Sequence, residues 1–125
     1  MGNKIKSEIR DMVYNKYLGK CAYCGTYLQR DKFTIDHIDP LRRGDKGSKA
    51  HLNVISNYNP ACTSCNSSKS TFSLDRWKQM ITNKKKSLFR DNSAFRILLR
   101  FGLVKFTTND VVFYFETKGK GANHG

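Results

Sequence analysis

Near the start of the chain, apolar residues recur at spacings of three and four. Ile5, Ile9, Met12, Val13 and Tyr17 share one helical face, with Asn3 as a cap and Gly19 as a stop, which predicts a helix to about Leu18. Tyr27-Leu28 read as the start of a strand. Phe33-Thr34-Ile35-Asp36-His37-Ile38, β-branched and aromatic before Pro40, predict a second strand. Residues 40–52 hold Arg42, Arg43, Gly44, Asp45, Lys46, Gly47 and Lys49 and are expected to be a mobile basic loop. The second knuckle is expected to open a short helix through Asn66 to Lys69. Another is expected from a Ser73 cap, with Leu74, Trp77, Met80 and Ile81 on one face and Lys84-Lys85-Lys86 closing it. Ser93 is read as capping Ala94 to Phe101, ended by Gly102. Val104-Lys105-Phe106 and Val111 to Glu116 flank Thr107-Thr108-Asn109-Asp110 and predict a hairpin. The glycine-rich end from Thr117 reads as disordered. Trp77, Phe95 and Phe101 could stack on bases, but their helical spacing favours the core.

Length and charge narrow the partners. A chain of 125 residues supports one modest core. It carries 23 Lys and Arg against 10 Asp and Glu, a net charge of +13. Residues 61–100 contribute nine basic and two acidic side chains, a net of +7. Such a field attracts polyanions, so nucleic acid is the expected partner and a small-metabolite enzyme fits poorly. Lys84 to Lys86 alone would be ordinary for a solvated helical face. The longest apolar run, Val111 to Phe115, is too short to cross a membrane, and the first residues lack a signal-peptide core. Lys6 stands where a myristoylation signal needs Ser or Thr. The expected location is therefore the cytoplasm, where thiols stay reduced.

The four cysteines form two C-x-x-C pairs, Cys21/Cys24 and Cys62/Cys65. Two such knuckles can close a four-thiolate zinc site, which has no open position and is therefore structural. Two disulfides or a redox pair suit a reduced compartment less well. The 37 residues between Cys24 and Cys62 exceed the roughly 15–20 of a simple zinc ribbon, so they have room for more than a turn.

That insert contains Asp36-His37-Ile38-Asp39-Pro40. Asn57 precedes the second knuckle, and Asn66 and Lys69 follow it. With C-A-Y-C, D-H-I-D-P and N-Y-N-P-A-C-T-S-C-N-S-S-K in this order, the chain resembles the HNH endonuclease family over about residues 21–69. The resemblance implies an α+β chain with a ββα-metal, treble-clef-like core. It implies His37 as general base, with Asp36 and Asn66 as ligands of a catalytic Mg²⁺ or Mn²⁺. It also implies Asn57 as support for the active-site loop and Lys69 as a basic residue near the site. Many relatives have His at the last position. The family often has a glycine pair in the middle loop, whereas Gly44 and Gly47 are separated here. The implied activity is hydrolysis of DNA phosphodiesters, by nicking or double-strand cleavage, as in small phage or mobile-element proteins.

The residue types suit that chemistry independently. A neutral imidazole can take a proton from water, and a carboxylate with an amide oxygen makes a hard, oxygen-rich site for Mg²⁺. Asp36 and His37 are neighbours on the predicted strand, so regular geometry would point them to opposite faces. Asn53 and Asn59 rival Asn57, His51 reads as a solvated loop residue, and Lys69 as either a phosphate contact or a helix-surface charge. The competing function is a zinc-stabilised nucleic-acid-binding module without catalysis. The expected organisation is an N-terminal helix (1–20), the zinc and ββα-metal core (21–70), a basic helical extension with the hairpin (71–116), and a tail (117–125).

Overall fold

Val13, Phe33 and Tyr58 form a buried cluster in which three separate parts of the chain meet. The computed structural model describes residues 6–40 and 52–121. The expected basic loop, His51, the separated glycines, the Asn3 cap and Ile5 therefore lie outside the described residues. The described chain is α+β. Its elements are α1 (Ser7–Asn15), β1 (Thr34–His37), a 3₁₀ turn (Ile55–Asn57), β2 (Tyr58–Ala61), α2 (Thr63–Lys69), α3 (Leu74–Asp91), α4 (Ser93–Arg100) and α5 (Tyr114–Gly121).

It divides into two compact units. One comprises residues 1–74 with 112–125, and the other residues 75–111. In the first, α1 brings Val13 to Phe33 and Tyr58, with Ile9, Tyr14, Leu28 and Ile35 packed around them. Arg10 donates to the Phe33 carbonyl at 3.0 Å, and Lys16 to the Tyr58 carbonyl at 2.7 Å. Apolar and polar bonds thus fasten the helix to the strands. Met12, expected on the buried stripe, is instead exposed. Gly19 adopts a φ of +83°, and its N–H reaches the Tyr14 carbonyl at 3.0 Å, which satisfies a carbonyl at the end of α1.

β1 and β2 pair antiparallel, with Asp36 opposite Asn59 and His37 opposite Tyr58. β2 was not among the expected elements, and Pro60 sits within it. In a two-stranded sheet every strand is an edge, where a missing N–H is tolerated. The carbonyl of Pro60 accepts the Ala22 N–H at 2.8 Å, tying the first knuckle to β2. Tyr27 makes only an isolated bridge with Lys20, so the expected strand there shrinks to one pair.

In the second unit α3 runs through Lys84-Lys85-Lys86 to Asp91, and the triplet lies within the helix rather than closing it. Neither glycine nor proline interrupts that stretch, and lysine is a good helix former. Asn92, not Ser93, caps α4, and its side chain accepts from the Phe95 N–H at 2.9 Å. Trp77 is buried, whereas Phe101 is exposed rather than core.

The expected hairpin is absent from the described residues. Tyr114 and Phe115 give their N–H groups to the carbonyls of Tyr23 and Ala22, at 3.0 and 2.7 Å, and Phe113 gives its own to the Glu116 carboxylate. These donors are therefore taken, and the chain enters α5, which continues to Gly121 through part of the expected disordered tail. No helix among the described residues is long and apolar enough to cross a membrane.

Candidate functional site

The knuckles come first, because they bring distant parts of the chain together. Gly25, at φ +79°, returns its N–H to the Cys21 carbonyl at 3.0 Å, and an added Cβ would meet the Tyr114 ring at 3.1 Å. The N–H groups of Tyr23 and Cys62 both point at the Cys21 sulfur at 3.4 Å. Cys62 caps α2, its sulfur accepting from the Cys65 N–H at 3.4 Å. All four sulfurs lie within 4.8 Å of one another, and those of Cys24 and Cys62 are 3.8 Å apart. A tetrahedral ion with bonds of about 2.3 Å separates its sulfurs by about 3.8 Å. The hydrogen bond with Cys65 does most to pull the Cys21 thiol down, to about 4, with backbone N–H donors adding to it against burial. The four cysteines are thus positioned to hold a metal ion.

β1 ends at His37. There Asp36, His37 and Asn66 line one cavity of about 160 Å³, together with Ile35, Pro40, Ser70 and Thr71. Neighbours on a regular strand diverge, yet both Asp36 and His37 border this space at the strand's end. Asn66 comes from α2, which begins at the second knuckle.

Behind the cavity lies a buried polar chain. The Tyr23 hydroxyl donates to Asp36 Oδ2, and the Lys69 ammonium lies 3.3 Å from the same oxygen. Lys69 also donates to the His37 carbonyl at 2.9 Å. Burial pushes the Asp36 carboxyl up, while Tyr23 and Lys69 oppose the rise. Burial, and then the charge of Asp36, push the Tyr23 phenol up, so it stays a donor. Asn59, fully buried, donates to the Tyr23 oxygen at 3.4 Å. Lys69 is 0% exposed. It is therefore neither a phosphate contact nor a helix-surface charge, because its ammonium is enclosed against Asp36.

Asn57 stands beside the cavity. Its side chain accepts from the Asp39 N–H at 2.8 Å and donates to the carbonyls of Asp39 and Leu52, at 3.0 and 2.9 Å. Its own carbonyl accepts from the Ile38 N–H at 2.8 Å. It thus pins the backbone that leaves His37 to the segment entering β2. Asn53, considered from sequence only as a rival to Asn57, touches the imidazole itself: His37 Nε2 lies 2.7 Å from its Oδ1. The His37 ring also meets Tyr58 edge-on at 5.2 Å. Tyr23 had no signal in spacing and Asn59 was weighed only as a rival to Asn57, since the contacts that join them to Asp36 arise only when β1, β2 and the knuckle are assembled.

A family model described as HNH endonuclease matches residues 21–72. Over 88 residues the chain is 38% identical to YoqL of Bacillus subtilis (strain 168), an SPbeta prophage-derived protein whose HNH endonuclease name is provisional. The match covers 58% of this chain and 34% of that relative, so the chain spans about a third of the relative's length. No solved structure matches. The segment that matches the HNH endonuclease model, residues 21–72, holds both knuckles, β1, β2 and α2.

Proposed function

We propose that this chain is a divalent-metal-dependent endonuclease that hydrolyses DNA phosphodiester bonds. The observation that carries the proposal is the shared cavity of Asp36, His37 and Asn66. His37 is the general base. With Asn53 Oδ1 accepting from Nε2, the imidazole keeps its lone pair on Nδ1, where it takes the proton of the attacking water. The new bond forms between that water oxygen and phosphorus, and the bond to the 3′ oxygen breaks. Asp36 and Asn66 offer oxygen donors that fit Mg²⁺ or Mn²⁺ and leave positions for water and phosphate. When bound, such an ion neutralises the phosphate and the departing 3′ oxygen. Tyr23 and Lys69 both occupy Asp36 Oδ2, and Oδ1 is the oxygen left for the metal. Asn57 and Lys69 act through the backbone around His37. The four cysteines take zinc, as a closed set of soft thiolates, and the zinc staples the fold.

The +13 charge suits DNA as the partner, through its phosphate backbone, in the cytoplasm of a cell that hosts a phage or mobile element. Plasmid nicking with Mg²⁺ tests the proposal. His37→Ala should lose about 10²- to 10⁴-fold in rate while keeping fold and DNA affinity. Asn53→Ala should lose about 3- to 10-fold, the worth of one hydrogen bond, in kcat rather than KM. If the wild-type chain does not nick with Mg²⁺, the domain is a zinc-stabilised binding module instead, and if His37→Ala nicks at the wild-type rate, His37 is not the general base.

A further inference from the structure

The unit formed by residues 75–111 holds nine lysines and arginines against three aspartates, a net of +6, and carries none of the candidate catalytic residues. One cavity in it has a volume of about 360 Å³ and is lined by Thr82, Lys85, Lys86, Phe89, Phe106 and Asn109. Phe89 is 55% exposed and Phe106 43% exposed. Solvent normally meets few rings of this size, and here two border the same hollow. Phe106 is buttressed by Phe95, ring centroids 5.6 Å apart. Lys85 lies 4.2 Å from the centre of the Phe106 ring and donates to Asn109 Oδ1 at 3.1 Å.

We propose that this cavity binds an unpaired nucleotide of a DNA strand. The inference rests on the nucleic-acid reading above and adds a second place of contact. Each component has a counterpart in the ligand. A phenylalanine ring offers a face on which any base can stack. The Asn109 amide can hydrogen-bond a base edge, and Lys85 and Lys86 supply charge for the adjoining phosphate. Bases within a duplex have their faces covered by neighbours, so only a single-stranded, frayed or extruded nucleotide can reach the rings. The volume falls in the range of small-ligand sites, about 300–1,000 Å³. An apolar peptide would bring no anionic group to Lys85 and Lys86, whereas a nucleotide brings a phosphate that pairs with them.

The test is fluorescence anisotropy of the full chain, zinc retained and no Mg²⁺ added, with a short single-stranded oligonucleotide and with its duplex at one salt concentration. Phe89→Leu and Phe106→Leu remove a ring but no charge. Each should weaken single-strand binding by about 5- to 100-fold and leave duplex affinity and its salt dependence unchanged. Phe89 is more than half exposed, so its replacement keeps the test sound if Phe106→Leu unfolds the unit; thermal melting reports which has happened. Equal losses for single strand and duplex, or no loss for either in Phe89→Leu, overturn the site and leave the cavity to another occupant, such as an acidic peptide. Because nothing is cleaved in this assay, its failure is distinct from failure of the nuclease proposal, which nicking by the wild-type chain reports.

Discussion

The Tyr23 hydroxyl donates to the Asp36 carboxylate, so a residue between two cysteines of the metal knuckle holds a side chain of the candidate catalytic cavity. The ring is walled by Phe113 and Phe115, at 5.3 and 6.0 Å between centroids, and Asn59 backs the hydroxyl from β2. The cysteine cluster and the candidate catalytic carboxylate are therefore parts of one connected assembly. Outer contacts of this kind orient a metal-binding carboxylate.

Tyr23→Phe keeps the ring and its packing and deletes only the oxygen. Nicking by this variant should need about 10- to 100-fold more Mg²⁺ for half-maximal rate, the usual worth of such a contact. Saturating Mg²⁺ should recover most of the wild-type rate, and the zinc content should be unchanged. A Mg²⁺ titration of both proteins checks this. A variant with the wild-type requirement would show that Tyr23 only fills space.

Lys69 yields a prediction about stability. Its ammonium is fully buried, with Asp36 and the His37 carbonyl as partners. Removing one member of a buried ion pair leaves the other uncompensated, which costs about 3–5 kcal/mol. Lys69→Met should destabilise the domain by about that amount in urea melts, whereas exposed Lys84→Met should change it by about 0.5 kcal/mol or less. Adding Asp36→Asn to Lys69→Met should cost less than the two changes separately, because the pair vanishes together. A phosphate-contacting lysine would instead lower DNA affinity and leave the melt alone.

How far the sequence carries depends on whether a feature is local. The knuckle spacing, the strand before Pro40 and the short helix after Cys62 rest on neighbours in the chain, and β1 and α2 stand close to where periodicity and spacing place them. The meeting of Asp36, His37 and Asn66 was suggested by motif order, and the antiparallel pairing of β1 with β2 supplies the geometry. Features decided by tertiary contacts were not legible. The strand that pairs with β1 contains Pro60 and has only four residues, too short for a pattern of its own. Val111 to Glu116 has strand-like residues, but its N–H groups find carbonyls on the first knuckle, so the segment leads into α5. Lys69 looks like a surface charge until the fold places Asp36 beside it.

The cysteine cluster can be tested by thiol reactivity. All four cysteines of the chain belong to it, and Cys24 is exposed. A bound zinc should protect even that thiol from a thiol reagent, so the native protein should titrate with almost none. A strong chelator should release one zinc per chain and four reactive thiols together. The first unit should unfold with them, since binding energy at such a site is largely folding energy, about 10–16 kcal/mol in small zinc domains. Four thiols reactive before chelation, or no zinc in reduced protein, would refute the metal assignment.

The position of the lysine triplet within α3 leads to the last prediction. Lys84 and Lys86 are exposed, and consecutive helical residues are turned by about 100°, so the two lie on well-separated directions around the helix. Such an arrangement cannot set both ammonium groups on one line of phosphates, and each should make its own contact or none. Each phosphate contact lowers the slope of log affinity against log salt by about 0.9 on duplex DNA. Lys84→Gln and Lys86→Gln, measured singly, should therefore shift the slope in steps, by about 0.9 for a lysine that touches phosphate and by about zero for one that does not. The double variant should show the sum of the two. Neither change should alter the Mg²⁺ requirement of nicking, because both residues lie outside the unit that holds Asp36 and Asn66. A slope unmoved in the double variant would remove Lys84 and Lys86 from the DNA interface, and the remaining basic residues of residues 75–111 would have to account for affinity.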